Sequence, residues 1–229
     1  MARTVLSDEL AKLNDEVAGM GNLAKEAIEK AVRAIVNEEF SLKDDVERLD
    51  GVIYECDMKI EKHCIDLIAL HTPVASDLRT VSTCLKMITD LNRIGRYAKD
   101  IAEVIDFLKG QKYFKKLVSI PHMASLVISM VDDAVKSFTD RDLQRALNLF
   151  KMDDEVDALY ESIFREVLTY MMEDPKKVPM GMRFILIARY LERIADHACN
   201  IGERVNYMIT GERLDRARLG KKQSSLDIA

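Results

Sequence analysis

The chain has 229 residues, of which 48% are hydrophobic and 32% are charged, and 34 Lys and Arg against 39 Asp and Glu give a formal net charge of −5. This composition excludes a disordered chain. The scarcity of turn-forming residues, with 9 Gly and 4 Pro, argues against a many-stranded sandwich, a Rossmann sheet or a P-loop domain. An acidic chain without a Lys/Arg-dominated segment also argues against nucleic-acid binding. We therefore predict an all-α protein.

The amino-terminal segment and the cysteines predict a cytoplasmic, soluble protein. The first residues lack the apolar core of a signal peptide. The longest uncharged stretch, residues 117–131, contains Pro121 and His122 and is shorter than the roughly 20 residues that span a bilayer. No cysteine pair has C-x-x-C spacing, which excludes a zinc ribbon and disfavours a disulfide framework. We expect reduced and buried thiols at Cys56, Cys64, Cys84 and Cys199.

Apolar residues recur with a 3.6-residue period in six segments, each bounded by a cap or a breaker. The predicted helices cover about residues 7–37, 42–70, 77–109, 121–138, 140–172 and 182–210. Pro121 suits a first helical position. The predicted domains are a first three-helix bundle (1–110), a linker without an apolar stripe (111–120), a second three-helix bundle (121–211) and a loose polar tail (212–229).

The two halves repeat each other. The sequence LNRIGR at residues 91–96 of the third helix matches LERIAD at residues 191–196 of the sixth, at an offset of 100 residues. Residues 50–54 of the second helix correspond to residues 153–157 of the fifth, at an offset of 103. Self-similarity at a nearly constant offset indicates a duplicated unit. We predict two copies of one three-helix unit.

Two carboxylate pairs in the second half predict a metal site. Asp153 and Asp157 are four residues apart, as are Glu192 and Asp196, so each pair shares a helix face. If the fifth and sixth helices pack antiparallel, the four acids face each other and require a cation. Oxygen ligands suit Mg, Ca, Mn or Fe(III).

Other polar residues bear on this prediction. Asn200 and Glu203 extend the same stripe of the sixth helix and could support the metal ligands. The alternative that the spacing leaves open is a solvated acidic face, paired with Arg189 and Arg193. A nearby cluster of these two residues with Arg183 also suggests an anion site beside the metal.

The sequence offers no catalytic residue. None of the four histidines has Glu three residues before it, which disfavours a ferritin-like di-metal carboxylate enzyme. No G-x-S-x-G, Walker motif or glycine-rich loop occurs, so nucleophilic and nucleotide-dependent chemistry lack their usual signatures. We predict a non-enzyme, and a spectrin-like spacer with solvated carboxylates remains a structural alternative.

Four segments together resemble the PhoU family of phosphate-uptake regulators. They are PVASDLR (73–79), DLNRIG (90–95), DDEVDALY (153–160) and LERIAD (191–196). The resemblance implies two three-helix bundles with pseudo-twofold symmetry and E(D)-x-x-x-D motifs that bind metal clusters, usually iron. It also implies a regulator that acts with the ATP-driven phosphate importer and a sensor histidine kinase to limit uptake and phosphate-starvation signalling.

The resemblance assigns metal ligands residue by residue in the second repeat. Asp153, Asp157, Glu192 and Asp196 stand where the family places them, and an iron cluster or Mg/Mn is the expected metal. The expected partners are the importer's ATPase subunit and the kinase, which the protein reaches from the cytoplasm. A homodimer is also expected.

The first repeat departs from the family pattern. Its equivalent positions read Asp50-x-x-x-Tyr54 and Asn92-x-x-x-Arg96, so carboxylates have become neutral groups and a guanidinium. Arg96 can pair with Asp50 or Asp100 without any bound ion. We hypothesise that the first bundle has an internal ion-pair network where the second has a metal. The residues of this degenerate site are Asp50, Asn92, Arg96, Asp100 and Glu103.

Overall fold

A computed structural model describes residues 2–214 of the chain. Its helices are α1 (Ala2–Val36), α2 (Leu42–His71), α3 (Ser76–Glu103), α4 (Ile105–Leu108), α5 (Ser119–Thr139), α6 (Leu143–Glu173) and α7 (Val178–Thr210), with a 3₁₀ turn at Pro175–Lys177. No strand occurs in this part of the chain, so the all-α prediction is confirmed. The predicted loose tail lies almost entirely outside the described residues.

The six long helices form two three-helix bundles. In the first, α1, α2 and α3 pack on one another, and in the second α5, α6 and α7 do the same. Across the bundles α3 packs on α7 and α1 packs on α5, so equivalent helices of the two repeats meet. Arg79 near the start of α3 reaches the backbone oxygen of Met208 near the end of α7 at 3.2 Å, so α3 and α7 run antiparallel. This arrangement agrees with pseudo-twofold symmetry.

Apolar helix faces form a single core that continues through both bundles. Leu91 of α3 and its repeat equivalent Leu191 of α7 are both fully buried, because the two helices lie at the centre of the molecule. Three of the four cysteines are buried and all four are free, which confirms the predicted thiols except for the partly exposed Cys56. Among residues 2–214, no helix combines the length and the apolar character of a membrane-spanning segment.

Several helix boundaries differ from the predictions, and α1 begins at Ala2 rather than near residue 7. The third helix ends at Glu103, and the short α4 follows it after Val104. The last helix begins at Val178, with Pro179 in its first turn, where a missing N–H costs no helical hydrogen bond. Pro121 is the third residue of α5 rather than the first, which the same rule permits.

The segment between the bundles is anchored by aromatic side chains. Residues 111–118 are not helical. Tyr113 donates its hydroxyl to the backbone oxygen of Ile35 at 3.0 Å, and burial raises the pKa of Tyr113 to about 12. The rings of Tyr113 and Phe114 lie 5.5 Å and 5.3 Å from the ring of Phe184 on α7. The linker is therefore anchored to α1 of the first bundle and to α7 of the second.

Helix α6 starts later than predicted because Asp142 caps it. The Oδ1 of Asp142 accepts the backbone N–H of Arg145 at 3.0 Å, as an N-cap carboxylate does. The preceding Arg141 has a positive φ of 53°, which turns the chain sharply after α5. That backbone hydrogen bond is the main reason why the pKa of Asp142 is lowered.

We expect Asp142→Ala to destabilise the protein near neutral pH and Asp142→Asn to have a much smaller effect, because an amide oxygen also caps a helix. A lowered carboxyl pKa stabilises the fold above the unfolded pKa and loses this contribution as the pH falls through the folded pKa. The deficit of the alanine variant should therefore shrink on acidification. Urea titrations at a series of pH values would measure it; a deficit that is constant with pH would contradict this role.

Candidate functional site

The carboxylates of the second bundle lie on two packed helices. Asp153 and Asp157 belong to α6, whereas Glu192 and Asp196 belong to α7. Burial, followed by the charges of Asp196 and Asp154, raises the pKa of Asp157. The charge of Asp196 on α7 therefore acts on Asp157 of α6 across the contact of these two helices.

Neighbouring negative charges also shift the pKa of Glu192. Burial raises the pKa of Glu192, the charges of Asp196 and Asp157 act in the same direction, and the Arg189 guanidinium opposes them. Mutual repulsion of this kind is what a bound cation relieves. Asp154 is the member of the group that the sequence analysis did not single out, although it lies next to Asp153 in the same motif.

Arginines provide counter-charges at these carboxylates. Arg189 donates to Glu192, and Arg193 donates to Asp196 at 3.2 Å. The guanidinium of Arg189 also lies 5.8 Å from the ring centre of Tyr160 on α6. Within residues 2–214, no three Asp, Glu, His or Cys side chains form a group that could hold a metal ion. The pairs of these acids with Arg189 and Arg193, which the sequence left open as an alternative to a metal, are thus present. The metal stays a prediction.

The two predicted supporting residues contact α3. Asn200 donates to the Oδ1 of Asp90 at 3.4 Å, and Glu203 lines a cavity with Lys86. Each four-residue step turns a helix by about 400°, so two steps place Asn200 about 80° away from Glu192 around the helix axis. This rotation explains why Asn200 faces the interface between the bundles.

In the first bundle an ion pair occupies the equivalent position. The side chain of Asp50 is 8% exposed, and its Oδ2 lies 3.2 Å from Nη1 of Arg96 and 3.9 Å from Nζ of Lys99. The Oδ1 of Asp50 is buried without a hydrogen-bond partner in the described chain. The pair of Asp50 and Arg96 is therefore as hypothesised. Lys99 was not predicted, although its place one turn after Arg96 could have indicated it.

Of the remaining residues of the degenerate site, Asp100 and Glu103 lie near the cations of α3, whereas Asn92 contacts α2. Burial and then the charge of Glu103 raise the pKa of Asp100, while Arg96 opposes the shift. Glu103 lies 4.0 Å from Lys99. Asn92 is directed to α2, where its Nδ2 donates to Oδ2 of Asp57 at 2.7 Å. Arg96 and Lys99 thus provide counter-charges to Asp50 and Glu103, whereas the pKa of Asp100 stays raised.

The interface between α3 and α7 contains two contacts that the repeat relates to each other. His197 and Asp90 are joined by a hydrogen bond of 2.8 Å between Nδ1 and Oδ1. The rings of Tyr97 and Tyr190 lie 6.0 Å apart. Since Asp90 corresponds to Tyr190 and His197 to Tyr97 at the 100-residue offset, the two contacts occupy equivalent places. The two repeats therefore place contacts at equivalent positions but form them with different side chains.

Comparison with known proteins identifies this architecture. The PhoU domain family matches the chain twice, over residues 17–105 and 120–205. The chain belongs to the PhoU family. Both matches contain the residues of one carboxylate site, the degenerate one in the first and the carboxylate-rich one in the second.

Individual members of the PhoU family are similar over nearly their whole length. The phosphate-specific transport system accessory protein PhoU homolog of Clostridium acetobutylicum is 36% identical, over 94% of this chain and 99% of its own. The homolog of the same name from Deinococcus radiodurans is 37% identical, over 93% of this chain and 100% of its own.

Crystal structures show the same fold. PhoU from Pseudomonas aeruginosa has a TM-score of 0.86 and 33% identity, and the match covers 90% of this chain and 99% of that one. The phosphate transport system regulatory protein PhoU from Streptococcus pneumoniae has a TM-score of 0.85 and 30% identity, and the match covers 92% and 99% of the two chains. The predicted pair of PhoU-like bundles is therefore confirmed.

Proposed function

We propose that this chain is a cytoplasmic regulator of phosphate uptake and of phosphate-starvation signalling. The observation that carries the proposal is the near-full-length similarity to proteins named as accessory proteins of the phosphate-specific transport system. The partners are the ATPase subunit of the phosphate importer and a sensor histidine kinase, and the active form is a homodimer. The role is regulatory and not enzymatic.

The carboxylates of the second bundle are the proposed metal site. Asp153, Asp157, Glu192 and Asp196 would hold the ion, and their oxygen atoms suit iron(III), Mg or Mn. When bound, the metal would supply the positive charge that offsets repulsion among these acids. The pKa shifts of Asp157 and Glu192, which follow from burial and from neighbouring carboxylates, support this assignment.

Arg189 and Arg193 allow two arrangements of the carboxylates, one paired with arginine and one bound to a metal. They pair with Glu192 and Asp196 in the structure. If these acids bind a metal instead of the arginines, the two guanidiniums lose their partners and become available to an anion or to an acidic surface. We propose that metal occupancy and partner binding are coupled through these two arginines.

Co-purification tests the regulatory role. The chain is tagged and expressed in a bacterium that lacks its own PhoU and grows in high or low phosphate. We expect the importer's ATPase subunit to be recovered with the chain, with a recovery that depends on phosphate. Recovery should fall for Asp157→Asn/Glu192→Gln and stay unchanged for Arg165→Gln, which removes an exposed charge on α6. Absence of the subunit at both phosphate levels would contradict the proposal.

A helical scaffold without metal is the second candidate function. The Arg189–Glu192 and Arg193–Asp196 pairs favour it, because they neutralise carboxylates without any ion. The two candidates differ in their response to added Mn²⁺ or Fe³⁺, since a ligand that binds the native state raises the melting temperature by mass action. We expect a rise in the wild type and none in Asp157→Asn/Glu192→Gln. Equal shifts in the two proteins would favour the scaffold.

A further inference from the structure

A polar cavity lies between α3 and α7, at the end of the molecule where α3 begins and α7 ends. Its volume is about 300 Å³. Ser82 and Lys86 line it from α3, Arg204 and Tyr207 line it from α7, and Arg213 lines it from the segment after α7. The cavity is separate from the carboxylates at the contact of α6 with α7.

Positive charge dominates this cavity, although the chain as a whole carries a net charge of −5. Three cationic side chains line it, those of Lys86, Arg204 and Arg213, against the single carboxylate of Glu203 among its described lining residues. Cations that converge in a concave site raise the local concentration of anions. The cavity therefore favours an anion.

Arg204 has a buried side-chain nitrogen without a partner beside the cavity. Its Nε is buried and has no hydrogen-bond partner among residues 2–214. A buried N–H group without an acceptor is unfavourable and uncommon in folded proteins. The adjoining backbone is held in place, because the hydroxyl of Thr83 donates to the backbone oxygen of Arg204 at 3.4 Å. Because this Nε is closed to solvent, an anion in the cavity would be attracted by the charge of the lining Arg204 side chain and not by this atom.

The repeat provides an internal comparison. At the 100-residue offset, Lys86 corresponds to Leu186 and Arg204 corresponds to Val104. The other end of the α3–α7 pair thus has apolar residues at both positions, and there Arg183 stacks on the ring of Phe107 with 5.0 Å to its centre. Packing of the repeated unit does not require cations at these positions. Their presence at one end only points to a function of that end.

The lining defines the class of ligand. Guanidinium groups and an ammonium group bind oxyanions through charge-assisted hydrogen bonds, and the hydroxyls of Ser82 and Tyr207 are further donors. The volume is at the lower limit of small-molecule sites, which begin at about 300 Å³. A compact oxyanion with two negative charges matches both the excess of cations and the size.

We propose that this cavity is a binding site for a phosphate-type dianion, held by Lys86 and Arg204 with Arg213 at its edge. The site is distinct from the metal site and does not depend on it. It also does not rest on the proposed action on an importer, because the chain would bind the anion without any partner. Inorganic phosphate and the terminal phosphate of a nucleotide carry the same chemistry.

Calorimetric titration of the full chain with inorganic phosphate, in the presence of a metal chelator, tests the proposal. We expect binding with a dissociation constant of about 1 mM or lower. Lys86→Gln, at an exposed position, should weaken it about tenfold. Arg204→Gln removes a second lining cation, so it should also weaken binding. The control Arg165→Gln removes a cation outside the cavity and should bind as the wild type does.

A parallel titration with ATP identifies the source of the phosphate group. Tighter binding of ATP than of inorganic phosphate, lost in Lys86→Gln, would support the site and assign it to a nucleotide. Weaker binding of ATP would assign it to the free ion. The proposal is overturned if the wild type binds neither ligand at about 10 mM, or if Lys86→Gln and Arg165→Gln reduce the affinity equally.

Discussion

Phe184→Ala is expected to lower the free energy of unfolding by about 3–5 kcal/mol. The side chain of Phe184 is fully buried, so truncation removes apolar burial and leaves a cavity. Its ring also contacts the rings of Tyr113 and Phe114, which anchor the segment between the bundles. The variant should therefore unfold at lower urea concentration and also expose this lysine-rich segment to trypsin.

The matched control is Phe164→Ala on α6, where the phenylalanine is 38% exposed. We expect a loss of about 1 kcal/mol or less, as for a partly exposed side chain. Urea denaturation followed by circular dichroism measures both variants, and limited trypsin digestion measures cleavage after Lys112, Lys115 or Lys116. Equal losses in the two variants, or a large loss in Phe184→Ala with unchanged cleavage, would show that Phe184 does not anchor the linker.

Arg96→Gln is expected to cost about 1–3 kcal/mol, the usual penalty for leaving a buried polar group without its partner. The penalty comes from Asp50, whose carboxylate loses its charge partner while buried: its side chain is 8% exposed, whereas that of Arg96 is 46% exposed. Lys99 lies 3.9 Å from Asp50 and keeps the loss from being larger. The double variant Asp50→Asn/Arg96→Gln should recover part of the stability, since the charge that needed a partner is gone.

Arg193→Gln is the control for this ion pair, as it removes the same charge from the second repeat. Its pair with Asp196 is 45% and 42% exposed, and exposed pairs contribute about 0–1 kcal/mol. Urea denaturation of the four proteins gives the comparison. Equal losses in Arg96→Gln and Arg193→Gln would mean that the pair in the first bundle has no special structural role.

The helices and the duplication could be predicted because they rest on local patterns. A 3.6-residue apolar period identifies a helix within a short window. The 100-residue offset makes Arg96 the counterpart of Asp196 in the second-repeat site. The same reasoning predicted that Arg96 pairs with Asp50 or Asp100, because the offsets of α2 and α3 put these residues in one site. The structure shows the pair with Asp50.

The features that were missed depend on contacts through space. Nothing near Asp142 in the sequence marks it as a better cap than Asp140. The partner of His197 is Asp90, on the other bundle, and the cavity around Lys86 and Arg204 forms only because α3 and α7 run antiparallel. The sequence spacing likewise left the carboxylates with two choices, a metal or arginines, and the structure shows the arginine pairs.

Metal content per chain tests the central proposal, that the second bundle binds a metal where the first bundle has the ion pair of Asp50 and Arg96. The purified protein is loaded with iron or manganese, freed of unbound metal and measured by elemental analysis. We predict bound metal in the wild type, its loss in Asp157→Asn/Glu192→Gln and an unchanged content in Arg96→Gln. Metal retained after the second-bundle acids are changed, or lost on changing Arg96 alone, would contradict the account.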